Sequence, residues 1–485
     1  MLLSLQELLQ EYWPHFVFLF TVTAAVTAAI HAAMNKTDVR AAIGWVGVII
    51  FSPLFGAFFY LIAGINRVRQ DQISQQRDRS LRDYSTLDDT PITEVAPYSA
   101  PQFESLRTLG DTVSSFPLCD GNHIQLLCSG DETYPAMIEA IENAKVSIAL
   151  QTYIFDNDQK GRMIADALAR AVKRGVEVRV LIDAIGSKYS RPPIVSLLRR
   201  LGVRTALFMT NPLGMRMPYA NLRSHRKILI VDGCIGFTGG MNIRAGFTTG
   251  PSGEPAARDT HFKVEGPIVL QLTAVFSQDW EFTTREVLPH ETWCCANWSP
   301  PEPRVPARCI RSGPDRTILS THHMLLGAFA VAQHSIRIQS PYFLPDVALL
   351  GALNTAARRG IQVDIVIPGQ NNLRLVNYAM TAQLDQVIRN GCRVWRARGT
   401  FNHSKLITID GAWSYVGSSN LDPRSLRLNF ELDVEIHSRQ MAAELEQRID
   451  AEIADSDLVT LDTLAAIPFI KRLRNKIIWL ASPYL

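Results

Sequence analysis

Two long apolar blocks open the chain, and shorter alternating blocks follow. Pro14 to Met34 reads PHFVFLFTVTAAVTAAIHAAM, and Ala41 to Ile65 reads AAIGWVGVIIFSPLFGAFFYLIAGI; neither holds an Asp, Glu, Lys or Arg. A helix needs about 20 apolar residues to cross bilayer hydrocarbon, so each block predicts a transmembrane helix, and the link NKTDVR makes them a hairpin over residues 1–66. The acidic flank (Glu7, Glu11), the long first run and the immediate second run disfavour a cleaved signal peptide. The link carries Lys36 and Arg40, and the flank after the second block carries Arg67, Arg69, Arg77, Arg79 and Arg82. Positive residues stay cytoplasmic, so the rest of the chain is expected on that side. The same arginines would attract anionic headgroups. Residues 67–106 are polar and read as a juxtamembrane segment and linker.

Beyond the linker the pattern repeats. AIENAKVSIALQTYIFDND leads to MIADALARAVKRGVEVRVLIDAIGS, and AFAVAQHSIRIQSPYFLPD leads to LLGALNTAARRGIQVDIVIPGQN. Each reads as helix, strand, helix, strand, with Gly175 or Gly360 at the place of a helix C-cap. Strands alternating with helices predict an α/β fold with mainly parallel sheets, here as two similar lobes about a pseudo-twofold axis, residues 107–300 and 301–464. The last segment, 465–485, puts Phe469, Leu473, Ile477 and Leu480 on one helical face with Lys471, Arg472, Arg474 and Lys476 mostly off it. It either lies in a membrane interface or packs on the soluble domain.

Composition narrows the function. The 485 residues carry 49 basic and 46 acidic side chains, a net charge of +3, which gives no support to a nucleic-acid partner. Seven irregularly spaced cysteines make no disulfide framework, and without a Cys-x-x-Cys pair no zinc site is implied. Cys294 and Cys295 read as ordinary loop thiols.

The chemistry lies in a doubled motif. HRKILIVDG starts at His225 and HSKLITIDG at His403. On a strand, positions i and i+2 share a face, so His225 presents with Lys227 and His403 with Lys405. Asp232 and Asp410 fall at Asp-Gly turns and are expected to brace them. At one fixed offset follow Gly239–Asn242 and Gly417–Asn420, whose Asn242, Ser418 and Asn420 are candidate phosphate donors. Asp259 and Glu431 each open an alternating strand and are candidates for orienting an imidazole. Two histidines and two lysines without a metal cage suit transfer at a phosphodiester: one histidine attacks phosphorus, the other moves protons, and the lysines neutralise equatorial oxygens. No metal or cofactor is called for.

The doubled His-x-Lys-x-x-x-x-Asp followed by Gly-x-x-Asn resembles the phospholipase D superfamily, and SHRKILIVDGCIGFTGGMN, SPYFLPD and GSSNLDPRSLRLNFE resemble its bacterial cardiolipin synthases. The resemblance implies an enzyme of the bacterial inner membrane, multi-pass, that moves a phosphatidyl group between two phosphatidylglycerols through a phosphohistidine. It implies a catalytic set of His225, Lys227, Asp232, His403, Lys405 and Asp410, with His225 the nucleophile. A phospholipase D that passes the group to water is the alternative. Gly240 departs from the family pattern, which has Ser or Thr there. An insert, TTGPSGEPAA, precedes Asp259 and is either a loop over the site or surface decoration. Oligomeric state is not encoded in these patterns.

Overall fold

The computed structural model describes residues 5–36, 38–65, 73, 74, 77, 93–210, 222–250, 253, 255–295 and 299–482. Arg67, Arg69, Arg79, Arg82 and most of the expected linker lie outside these.

Residues Met1–Arg69 form one compact unit and Gln70–Leu485 another. In the first unit, helix Leu5–Asn35 contains the 25-residue apolar stretch Glu11–Asn35, among the described residues the only helix long and apolar enough to cross a membrane. The second apolar block differs from the uninterrupted helix expected. It splits into Val39–Phe51, Pro53–Phe59 and a wider turn, Tyr60–Gly64. Proline cannot donate a backbone hydrogen bond and disfavours helical geometry in the residue before it, so the break falls at Ser52. Asp38 caps the second arm by accepting from the Arg40 and Ala41 amides. The arms pack through Ala32, Ile49 and Tyr60.

The second unit is built on one continuous sheet. From one edge its strands run Ser456–Val459, Arg393–Ala397, Gln362–Pro368, Ser335–Gln339, Leu406–Ile409, Trp413–Gly417, Asn429–His437 and Val305–Ser312. They continue with Cys119–Cys128, Thr260–Glu265, Ile235–Gly239, Ile228–Val231, Ser147–Thr152, Glu177–Asp183 and Arg204–Phe208. Apart from the extra Ser456–Val459 edge, the order is the same read from either end, as a pseudo-twofold demands. Val305–Ser312 pairs antiparallel with Cys119–Cys128 at the centre. The expected mainly parallel sheets are corrected: along this order only Ser147–Thr152, Glu177–Asp183 and Arg204–Phe208, and their counterparts Ser335–Gln339, Gln362–Pro368 and Arg393–Ala397, run parallel to one another, and the extra edge Ser456–Val459 is antiparallel. Inner neighbours are antiparallel, because after the second α/β unit the chain turns back in tight hairpins at Asp232-Gly233 and Asp410-Gly411. Gly175 and Gly360 do cap their helices, at φ +90° and +89°, where a side chain would be strained.

Each lobe has its own apolar core. Helix Phe103–Val113 sends Phe103 and Leu106 into the core of the second lobe, so the chain crosses that lobe before building the first. Arg77 is not a membrane flank. It is fully buried, pairing with Asp279 at 2.6 Å and stacked on Phe430. Cys295, expected as a free thiol, is bonded to Cys234 beside the Asp232 turn.

Candidate active site

Both histidines sit in extended chain just before their strands, at the seam between lobes, and both line one cavity of about 560 Å³. Their ring centroids are 6.4 Å apart. The seam is made by exchange. The His225 amide donates to the Phe430 carbonyl, and the His403 amide to the Arg258 carbonyl. Those carbonyls belong to the residues just before Glu431 and Asp259, so each backbone bond delivers a carboxylate from the opposite lobe. Glu431 Oε2 lies 3.0 Å from His225 Nδ1, and Asp259 Oδ2 lies 2.7 Å from His403 Nδ1. The two acids expected from sequence to orient an imidazole therefore each meet the histidine of the opposite lobe.

This crossing fixes the tautomers. His225 Nδ1 also meets the Ser418 carbonyl at 3.0 Å, which can only accept. Nδ1 therefore carries hydrogen and Nε2 keeps its lone pair for the cavity. The residue between His and Lys strengthens each seam: Arg226 Nε donates to the Glu431 carbonyl, and the Ser404 and Thr260 hydroxyls bond at 2.7 Å.

Neither lysine lines the cavity, and both are buried. Each ammonium donates to the carbonyl of its own motif's histidine, Lys227 to His225 at 2.6 Å and Lys405 to His403. Burial holds Lys227 down to about 7 and Lys405 down to about 8. Burial, then the Lys405 charge, pulls His403 down to about 3, and burial lowers His225 too. Burial alone would raise Asp259 and Glu431, but their histidines and the nearby lysines outweigh it and hold both below the usual carboxylate range. The resting site thus pairs two neutral imidazoles with two carboxylates, over two ammoniums that titrate near neutrality. A phosphodiester would restore full charge to the lysines.

The remaining candidates separate. Asp232 accepts from the amides of Lys145, Val146 and Ser147, and Asp410 from those of Gln333, His334 and Ser335. Both brace hairpins and neither lines the cavity. Asn242 and Asn420 do line it. Asn242 Oδ1 accepts from the Ile154 amide, and Asn420 Oδ1 is buried without a partner. Ser418 is corrected from ligand to buttress: its hydroxyl donates to Glu431 Oε2 at 2.6 Å and accepts from the Leu432 amide at 2.9 Å. Gly240 stands at the equivalent place, where a Cβ would come within 2.3 Å of Asp259 Oδ1. The insert is not mere decoration, since Ala257 at its end lines the cavity beside Gly246 and Phe247.

Sequence reasoning missed the cavity walls. Tyr153 and Tyr342 follow the ends of the repeated strands one position out of register with each other, and stand 5.2 Å from the His225 ring and 6.2 Å from the His403 ring; an aromatic just past each repeated strand was the available signal. Arg244 and Asp422, each two residues past the motif asparagine, give the cavity opposite charges at pseudo-equivalent places. Burial raises Asp422 to about 6, despite the Arg424 and Ser425 amides it accepts from.

The family model described as "Cardiolipin synthase, PLD-like domain" matches residues 137–280 and 325–453, and "Phospholipase_D-nuclease N-terminal" matches 23–64. The chain is 31% identical to cardiolipin synthase A of Pseudomonas fluorescens SBW25 over 98% of this chain and 99% of that one. It is 30% identical to the cardiolipin synthase of Alkalihalophilus pseudofirmus over 91% and 88%. Among solved structures, a phosphatidylserine synthase of Haemophilus influenzae Rd KW20 aligns with a TM-score of 0.57 at 16% identity, over 79% of this chain and all of that one, a likeness of fold.

Proposed function

The chain belongs to the family of cardiolipin synthases with phospholipase D-like domains, and on that premise we propose that it joins two phosphatidylglycerols with release of glycerol, through a covalent phosphohistidine. The observation that carries this is the pair of imidazoles on one cavity, each with Nδ1 held by a carboxylate of the opposite lobe.

In the first step His225 Nε2 attacks phosphorus of the donor. The bond from phosphorus to the headgroup glycerol breaks, and His403 gives that oxygen a proton. His403 is neutral in the empty site; the bound phosphodiester's negative charge raises its proton affinity, so that its Nε2 takes up one proton from solvent as the substrate enters and is the acid of this step, while His225 Nε2 keeps its lone pair. Lys227 and Lys405 neutralise the charge gathering on the equatorial oxygens. In the second step a glycerol hydroxyl of another phosphatidylglycerol gives its proton to His403 and attacks phosphorus, and the nitrogen–phosphorus bond breaks. Asp259 and Glu431 act as positioning residues in both steps.

The apolar amino-terminal helix and the bacterial relatives make this a membrane-associated protein. We extend this to a multi-pass hairpin in which the Val39–Gly64 arm also crosses, with the catalytic unit cytoplasmic. The Cys234–Cys295 disulfide weighs against that side, since reducing compartments disfavour such bonds. An impermeant thiol reagent applied to intact cells decides it.

The test feeds phosphatidylglycerol alone to the purified full chain in mixed micelles. Cardiolipin and glycerol should appear in equal amounts and fall by about 10³-fold or more in His225→Ala and His403→Ala. His403→Ala should also leave a base-stable, acid-labile phosphatidyl adduct on the His225 peptide. Phosphatidic acid without cardiolipin would make water the acceptor and overturn the reading.

A further inference from the structure

The carboxy-terminal helix, Phe469–Leu480, packs with its polarity inverted. A helix on a globular domain normally turns its apolar stripe inward. Here Asn475 is the buried residue, with Ile478 and Trp479 partly covered by the second lobe. Its ties to helix Arg374–Gln383 are largely polar: the Arg474 guanidinium stacks 3.6 Å above the Tyr378 ring, and Lys476 donates to the Ala382 carbonyl at 2.6 Å. The apolar stripe of Phe469, Ile470, Leu473, Ile477 and Leu480 faces out, from 45% exposed at Leu473 to 76% at Ile470.

The supporting helix carries this surface to the cavity. Leu373 and Leu375 are exposed at its start, while Leu373 and Val376 line the cavity. From the first lobe Ile185 and Tyr189 are exposed and also line it. Apolar surface therefore reaches from the cavity mouth towards the outer helix. Charge selects what covers it. Phe469–Leu480 carries Lys471, Arg472, Arg474 and Lys476 and no acid; Arg474 and Lys476 are engaged by the second lobe, Lys476 also lying 3.8 Å from Asp385, and Lys471 and Arg472 are exposed beside the apolar stripe. A twofold contact between copies would set two such cationic helices together, whereas anionic headgroups match them.

We propose that the outer face of Phe469–Leu480, continued by Leu373 and Leu375, docks into the headgroup boundary of an anionic bilayer and sets the cavity mouth at the lipid surface. The substrate then swings its headgroup into the cavity while its acyl chains stay in the membrane. This rests on the lipid substrate proposed above for its purpose, not for its geometry.

The experiment places the full chain in nanodiscs containing phosphatidylglycerol with a diazirine on its acyl chain. After illumination, cross-links should appear on the peptide spanning 469–480; cross-links confined to residues 14–65 would overturn the proposal. This readout needs no turnover, so it stands apart from failure of the transferase reading. In a second arm, Leu473→Glu/Ile477→Glu should lower cardiolipin formation on phosphatidylglycerol vesicles by about tenfold or more. The same variant should leave unchanged the rate on a short-chain phosphatidylglycerol kept below its micelle concentration. Equal loss on both substrates, or a fall in particle mass by light scattering in detergent, would sink it: the first means a structural helix, the second a contact between copies.

Discussion

The two lobes build one carboxylate–histidine device from different atoms. In the second lobe a longer acid, Glu431, is buttressed by Ser418, whose hydroxyl takes the Leu432 amide and gives its proton to the carboxylate. In the first lobe the acid is one methylene shorter. Asp259 Oδ1 takes the equivalent Thr260 amide directly, at 2.8 Å. It fills the space a side chain at position 240 would need. Gly240 with Asp259 and Ser418 with Glu431 are thus two matched sets. The glycine that departs from the family pattern is the partner of a short acid, and no phosphate ligand is lost with it.

The strongest way to break this comparison is to neutralise each acid. Asp259→Asn and Glu431→Gln should each lower kcat by about 10³–10⁴-fold, because an amide can hold the wrong tautomer of its histidine. Comparable losses in steady-state assays would show that both halves of the seam carry the reaction. A sharper probe mixes the sets. Gly240→Ser alone should cost about 10–100-fold by displacing Asp259 from His403. Adding Asp259→Glu should recover most of that, since the longer acid leaves room for the hydroxyl; a double-mutant cycle without coupling would refute the matching.

pH separates the lobes less strongly. Lys227 and Lys405 titrate at about 7 and about 8 in the empty site. Their charge is present below those values and is lost as pH rises through them. The kcat/KM profile, which reads the free enzyme, should therefore fall on its alkaline side from about pH 7–8, by about tenfold per unit. The smallest effect is expected at the turns. The first lobe's turn is tied by Cys234–Cys295, and the second's by Gln102 donating to Asp410 at 3.3 Å. Cys234→Ser should lower stability by about 2–4 kcal/mol in denaturant titration and leave kcat within about twofold.

Local signals were legible in the sequence. The motifs, their fixed offsets, the glycine caps and the acids opening their strands all stand where spacing put them, because each depends on neighbours a few residues away. What stayed hidden depends on partners far along the chain. Nothing near Glu431 says that it meets His225, or near Ser418 that its hydroxyl faces an acid. Arg77 reads as one more juxtamembrane charge until Asp279 is brought to it. The inner strands read as part of a parallel array because alternation reports a strand's faces, not its direction. Ser52-Pro53 was visible within the second apolar block, and length alone passed over it.

The crossed pairs also bear on ancestry and on engineering. Half of this molecule, expressed alone, would hold a histidine without its acid and an acid without its histidine. Such a half regains chemistry only by meeting a second half about the same axis, so a primitive form made of identical copies had to keep both seams alike. Joining the copies in one polypeptide lifts that constraint. One seam can change its acid and its neighbour while the other stays as it was, and Gly240 beside Asp259 is what that freedom leaves behind.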